Sequence, residues 1–376
     1  MRKIMTIVGT RPELIKMSRV IEAMDRHFDH VLVHTGQNFD YELNQVFFDD
    51  LGIRKPDHFM EAAGETAIET IAAVLTKSDR LMAELEPDAV LIYGDTNSGL
   101  ACISAKRRKI PIFHFEAGNR SFDARVPEEV NRRIIDHTSD INLVLTEHAR
   151  RYLLAEGLPG DFIFKTGSHM PEVLAEAMPR IEASGALDTL GLQPDRYILV
   201  SAHREENVDA LPKLRRFTEA LNRLATDYDM PVVVSTHPRT RKRLETLGDL
   251  SLSEKVRFQP PFGFLDYIKL QKEAFCVVSD SGTIAEEASL LNLPAVTVRD
   301  AHERPEGMDV GTLVMAGVGA EEIARAVALV RADFNRDAQA SGLAPDYADA
   351  GRVSIKAARI VESYIDVVNR VVWRRY

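Results

Sequence analysis

Three carboxylates stand where a chain of alternating strands and helices exposes its reactive groups. Asp95 lies between Gly94 and Thr96, directly after the apolar run Ala89–Tyr93, and Glu116 precedes Ala117-Gly118 after Ile112–Phe115. Glu128, in Pro127-Glu128-Glu129, marks the start of a helical segment. Acidic residues at helix starts are commonly electrostatic caps. Two or three carboxylates in one site, with pKa values moved apart by their neighbours, would instead supply a general acid and a general base. His203, in Ser201-Ala202-His203-Arg204, follows another apolar strand. Protonated, it would neutralise charge on a departing phosphate; otherwise it is a packed or solvated histidine.

Two further segments suit an anion. Asp280-Ser281-Gly282-Thr283 joins a strand to the helical run Ile284–Leu291. Ser281 is a good N-cap, Gly282 lets a ligand approach the backbone, and the free amides and dipole there would hold a phosphate or diphosphate. Glu286 and Glu287 follow about one turn in, where one could accept from ribose hydroxyls. A plain capped helix start has the same appearance. Gly9-Thr10-Arg11-Pro12-Glu13 follows the first strand, with Lys16 a turn further on. Proline just inside a helix start is common, so Arg11 and Lys16 either are solvated cations or reach a diphosphate. The segment is not the GxGxxG fingerprint of dinucleotide binding, and no Walker or GxSxG motif occurs. The eleven histidines show no HExxH or CxxC…H spacing, so no metal is expected.

The elements that position these groups alternate along the whole chain. Strands are predicted at Ile4–Val8, His30–His34, Ala89–Tyr93, Ile112–Phe115, Ile141–Leu145 and Phe162–Lys165, then at Tyr197–Val200, Val232–Ser235, Cys276–Ser279 and Ala295–Val298. Helical spacing fills segments between them, such as Ala67–Glu84 and Leu211–Leu224, the pattern of parallel βα units. The expected fold is α/β: two Rossmann-like doubly wound domains facing a cleft, one over residues 1–168 and one over 169–352. The tail 353–376 contributes an amphipathic helix expected to pack back on the first domain. Small and charged residues follow nearly every strand, where ligands of open parallel sheets bind. The 47 basic and 57 acidic residues leave a net charge of −10, which argues against nucleic-acid or anionic-membrane partners. Lys106-Arg107-Arg108-Lys109 is a basic helix end. Two distant cysteines, an N-terminal apolar run too short for a signal peptide and the lack of a run of about 18 apolar residues point to the cytoplasm.

Taken in order, these segments resemble the non-hydrolysing UDP-N-acetylglucosamine 2-epimerase family. The matching stretches are Gly9-Thr10-Arg11-Pro12-Glu13 with Lys16, Gly94-Asp95-Thr96, Glu116-Ala117-Gly118, Pro127-Glu128-Glu129 with Asn131-Arg132, and His203-Arg204. They continue through Ser279-Asp280-Ser281-Gly282, Glu286-Glu287 and Glu303-Arg304-Pro305-Glu306. The resemblance implies the two-domain fold of sugar-nucleotide glycosyltransferases (GT-B type), a homodimer, and a UDP-sugar as ligand. It implies Asp95, Glu116 and Glu128 as acid/base carboxylates, with His203 beside the β-phosphate. Arg11, Lys16, Ser281 and Gly282 would then touch the diphosphate, Glu287 the ribose, Arg304 the ligand and Tyr267 the uracil. The first domain would thus carry the carboxylates and the second the UDP site. Thr35-Gly36-Gln37-Asn38-Phe39-Asp40-Tyr41-Glu42-Leu43-Asn44 and Gly118-Asn119-Arg120-Ser121-Phe122-Asp123 resemble the branch that makes UDP-N-acetyl-L-fucosamine for capsule or O-antigen. Asn38-Phe39 replaces the His-Arg pair of the N-acetylglucosamine branch, which makes UDP-N-acetylmannosamine.

The chemistry implied is inversion at carbon 2 through elimination and return of UDP, without a nicotinamide cofactor. A glycosyltransferase on the same fold would share the diphosphate site but need an acceptor. A UDP-sugar sensor would bind and leave the carboxylates idle.

Overall fold

The computed structural model of the chain describes residues 1–36, 48, 50–202, 211–236, 252–299, 303–332, 334–336, 342–348 and 351–375. It divides into two compact units, one of Met1–Glu176 with Asp346–Tyr376 and one of Ala177–Pro345.

The first unit is built on a seven-stranded parallel sheet of β1 (Lys3–Val8), β2 (Asp29–His34), β3 (His58–Phe59), β4 (Ala89–Tyr93), β5 (Ile112–Phe115), β6 (Ile141–Val144) and β7 (Ile163–Lys165). Their spatial order is β3-β2-β1-β4-β5-β6-β7. Every residue of β4, β5 and β6 is buried, as expected of strands covered by helices on both faces. The second unit repeats the plan with β8 (Ile198–Ser201), β9 (Val232–Ser235), β10 (Val256–Gln259), β11 (Cys276–Ser279), β12 (Ala295–Val298) and β13 (Leu313–Ala316), ordered β10-β9-β8-β11-β12-β13. Both are doubly wound Rossmann-like sheets, the fold class expected from the sequence. In each, strand order reverses beside the first strand, between β1 and β4 and between β8 and β11, where such sheets open a ligand crevice.

The strand exits crowd together at the first of these points. Gly9 leaves β1 where an added Cβ would fall 1.9 Å from Ser98 Oγ and 2.3 Å from Thr35 Oγ1. Those two hydroxyls are themselves 2.7 Å apart. Only glycine lets the exits of β1 and β2 and the turn after β4 meet this closely.

Unit boundaries differ from those read in the sequence. The second domain was expected from residue 169, whereas the first turns of the helix Met170–Glu182 belong to the first unit. There Glu172 accepts from the amide and hydroxyl of Ser354, the latter at 2.5 Å. The chain returns at Asp346, whose carboxylate accepts from Lys165 and from the amide of Glu147. The last helix, Val353–Val371, buries Val353, Ala357, Val361, Ile365 and Val368 and packs against the helix Arg11–His27. Among the described residues, no helix is long and apolar enough to cross a membrane.

Candidate active site

The helix Arg11–His27 begins at the β1 exit with Pro12 in its first turn, and it brings Lys16 inward. Lys16 is buried, and its Nζ donates to Glu116 Oε2 over 2.6 Å. The Tyr93 hydroxyl donates to the same oxygen over 2.5 Å, and the Lys16 ammonium lies 5.6 Å from the Tyr93 ring centroid. Tyr93 is the last residue of β4 and Glu116 the first after β5, so pairing of adjacent strands sets this contact. Glu116 adopts φ 61°, a left-handed backbone that favours glycine.

Asp95 follows the next residue after β4, and its Oδ2 accepts from Arg132 Nε over 2.8 Å. Arg132 belongs to the helix Pro127–Thr138, and its Nη1 also donates to buried Glu129. Asn131 of that helix donates to the Asp95 carbonyl. Glu128 projects as an exposed side chain from the same first turn. One helix start therefore carries Glu128 and clamps Asp95.

Behind these groups lies a buried support. Asp136 is fully enclosed and meets His114 Nδ1 (2.9 Å), Arg120 Nη1 (2.7 Å) and the Gly118 amide (3.2 Å). His114 Nε2 donates to the Gly94 carbonyl, so a single carboxylate braces the exits of β4 and β5. Glu13 ties β1 to β4: its Oε2 accepts from the Gly9 amide and its Oε1 from the Thr96 hydroxyl, each over 2.6 Å. Burial pushes its pKa up to about 7.

In the second unit, Ser281, Gly282, Thr297, Arg299 and Arg304 line one concavity. The helix spans Ile284–Leu291, the run read from the sequence, with Thr283 rather than Ser281 at its N-cap. Ser281 Oγ instead accepts from the Thr283 amide, fixing the turn that leads into the helix. Arg304 Nη1 donates to buried Glu286 over 2.6 Å, and Arg299 pairs with Glu303. Two guanidiniums beside a half-buried turn suit a phosphate or diphosphate. Glu287, also buried, accepts from Gln271 Nε2 over 2.7 Å. The Tyr267 hydroxyl is enclosed beside Ser201, Ser279 and Glu287, and burial raises its pKa.

Sequence-expected residues thus assemble within each unit. Lys16 and Glu116 touch; Asp95 and Glu128 share one supporting helix; Ser281, Gly282 and Arg304 share one concavity; Tyr267 and Glu287 are neighbours. Arg11 occupies the first position of its helix and is half-buried. His203 and Arg204, and Gln37–Asn44, lie outside the described residues. Tyr93, Glu13, Arg132, Asp136 and Arg299 were not singled out from the sequence as site residues. Arg132 and Asp136 carry the one available signal, an i,i+4 spacing that continues from Glu128 along one helix face.

The family model for UDP-N-acetylglucosamine 2-epimerase matches residues 22–362. A solved UDP-N-acetylglucosamine 2-epimerase from Rickettsia bellii is 57% identical, with a TM-score of 0.94 and complete coverage of both chains. The Methanocaldococcus jannaschii UDP-GlcNAc 2-epimerase, solved with UDP-GlcNAc and UDP, is 30% identical with a TM-score of 0.88, covering 96% of this chain and 99% of that one. The UDP-2,3-diacetamido-2,3-dideoxy-D-glucuronate 2-epimerase of Pseudomonas aeruginosa is 37% identical over 327 residues, 85% of this chain and 90% of the relative.

Proposed function

The chain belongs to the UDP-N-acetylglucosamine 2-epimerase family, an isomerase of the UDP-sugar 2-epimerase type, and on that premise we propose how its residues divide the reaction. Carbon 2 of a UDP-sugar has no adjacent carbonyl, so its hydrogen is barely acidic. As the bond from carbon 1 to UDP breaks, positive charge develops at carbon 1 and acidifies that hydrogen. A carboxylate removes the proton, leaving a glycal with a double bond between carbons 1 and 2. A proton delivered to the opposite face, with return of UDP to carbon 1, inverts carbon 2.

The observation that carries this reading is the pairing of two carboxylates at neighbouring strand exits, Glu116 with Lys16 and Tyr93, and Asp95 with Arg132. Inversion needs a proton carrier on each face, and Asp95, Glu116 and Glu128 offer them. Ser281, Gly282 and Arg304 would hold the departing diphosphate, joined by Arg11, Lys16 and His203, with Glu287 on the ribose and Tyr267 beside the uracil.

UDP-N-acetylglucosamine, giving UDP-N-acetylmannosamine, is the substrate favoured by the names of the similar proteins. A second reading, UDP-2-acetamido-2,6-dideoxy-L-talose giving UDP-N-acetyl-L-fucosamine, is favoured by the segment 118–123. Its Arg120 is buried against Asp136 and Glu156. We place the enzyme as a cytoplasmic homodimer in polysaccharide synthesis. Incubating the protein with each UDP-sugar alone and following the products by NMR tests this function. Formation of the 2-epimer without an acceptor is expected. Release of UDP only when an acceptor is added would identify a transferase instead.

A further inference from the structure

His169 follows shortly after β7 in the first unit, and the reaction as described leaves it unused. The residue is 3% exposed. Its ring stands edge-on to Tyr93, centroids 5.3 Å apart at 75°, and to Phe115, 5.6 Å at 67°. Tyr93 is the residue whose hydroxyl holds Glu116, and the charges of Lys16 and Glu116 both act on the imidazole. Among the described residues, neither ring nitrogen has a hydrogen-bond partner. Native structures rarely leave a buried polar group unmet, and here both nitrogens of one ring are unmet beside the proposed reacting carboxylate.

We propose that His169 is a further binding residue of this site, hydrogen-bonding the acetamide of the substrate sugar beside the Lys16–Glu116 pair; this deepens the 2-epimerase reading and rests on it. Burial, reinforced by the Lys16 charge, lowers the imidazole pKa to about 3, so the ring is neutral at working pH. A neutral imidazole offers one donor and one acceptor. That suits an uncharged group and not a diphosphate, which calls for a cation. An acetamide can meet one of these nitrogens through its carbonyl or its N–H, and its methyl suits the aromatic walls of Tyr93 and Phe115. A hydroxyl in its place could meet a nitrogen but would leave the aromatic walls without an apolar partner. The group lies at carbon 2, the centre being inverted, so holding it would fix the sugar ring with that carbon towards the carboxylates.

The test is calorimetric binding of UDP-N-acetylglucosamine, UDP-glucose and UDP to the wild type, His169→Phe and His169→Gln. The wild type is expected to prefer UDP-N-acetylglucosamine over UDP-glucose by about ten-fold. His169→Phe should erase that preference while binding UDP within about two-fold of the wild type, and His169→Gln, which keeps a donor and an acceptor, should retain most of it. Should the phenylalanine variant not fold, ring nitrogen NMR of the wild type decides: the His169 signals should move with UDP-N-acetylglucosamine and not with UDP. Equal affinity of the wild type for both sugars, or an unchanged preference in His169→Phe, would overturn the proposal and leave the ring to ordered water. Failure of the epimerase reading would show separately, as acetamide-dependent binding without turnover.

Discussion

Glu116 presents its carboxylate from a backbone that side chains other than glycine adopt at a cost of about 1–3 kcal/mol. Such strain persists where surrounding bonds fix it, here the Ala117 amide on the Leu143 carbonyl and the Gly118 amide on Asp136. Replacing the charge while keeping the shape isolates its chemistry. Glu116→Gln and Asp95→Asn are each expected to lower kcat by about 100-fold or more with UDP affinity changed less than about two-fold. Parallel losses in turnover and UDP binding would instead assign these carboxylates to ligand binding or folding. Glu13 makes a pH prediction. Its pKa rises from 4.5 to about 7 on folding, so below about pH 4.5 it is protonated in both states. Between those values the unfolded chain ionises first, and the protein loses about 3 kcal/mol of stability that protonated Glu13 contributed. In Glu13→Gln, urea midpoints at pH 5 and pH 7.5 should differ less than in the wild type; an equal difference would refute the shift. Glu13 and His169 were not legible as special in the sequence, because their properties come from burial and from neighbours on distant segments. Asp95 and Glu116 stood out in the sequence because each lies within two residues of the end of an apolar strand run and borders a glycine or alanine.

At the level of elements, the helix Pro127–Thr138 does most of the positioning. Glu128 and Glu129 open it, Asn131 and Arg132 hold Asp95, and Asp136 braces the exits of β4 and β5 through His114 and Gly118. Asp136→Ala would leave Arg120 and His114 buried without this partner. Loss of about 3–5 kcal/mol of stability is expected, read as a lowered urea midpoint. A change below about 1 kcal/mol would mean that the network is replaced by water. Interior strands were readable because burial on both faces imposes an unbroken apolar run, as in Ala89–Tyr93 and Val232–Ser235. The strands not anticipated, β3, β10 and β13, each end their sheet and carry exposed or half-buried positions. β3 and β10 carry no such run, whereas β13 is the apolar Leu313–Ala316 and was passed over in the sequence. The N-cap of the helix Ile284–Leu291 differs from the one expected: Ser281 has the chemistry of an N-cap, but its hydroxyl accepts from the Thr283 amide in the turn before the helix, and Thr283 takes the cap position.

Over the whole molecule, two units repeat one strand order, with a first-unit site rich in carboxylates and a second-unit concavity rich in arginine. The alternation of strands and helices made this plan legible, whereas the unit boundary was not, since it falls inside one helix, Met170–Glu182, which contributes to both units. The final helix carries a clear apolar stripe, and its fit to the helix Arg11–His27 gives that stripe a place. Truncating Ile365 to alanine there is expected to cost about 2–5 kcal/mol. Calorimetric unfolding would check this, and an unchanged midpoint would contradict a packed interface. Elimination of UDP and its return make carbon 2 exchange its hydrogen with solvent once per inversion. The decisive measurement is therefore turnover of UDP-N-acetylglucosamine, or of the L-talose derivative if that is the sugar converted, in deuterated water. Mass and NMR spectra of the epimer should show one deuterium at carbon 2. An epimer that keeps protium there would contradict removal of that proton through a glycal.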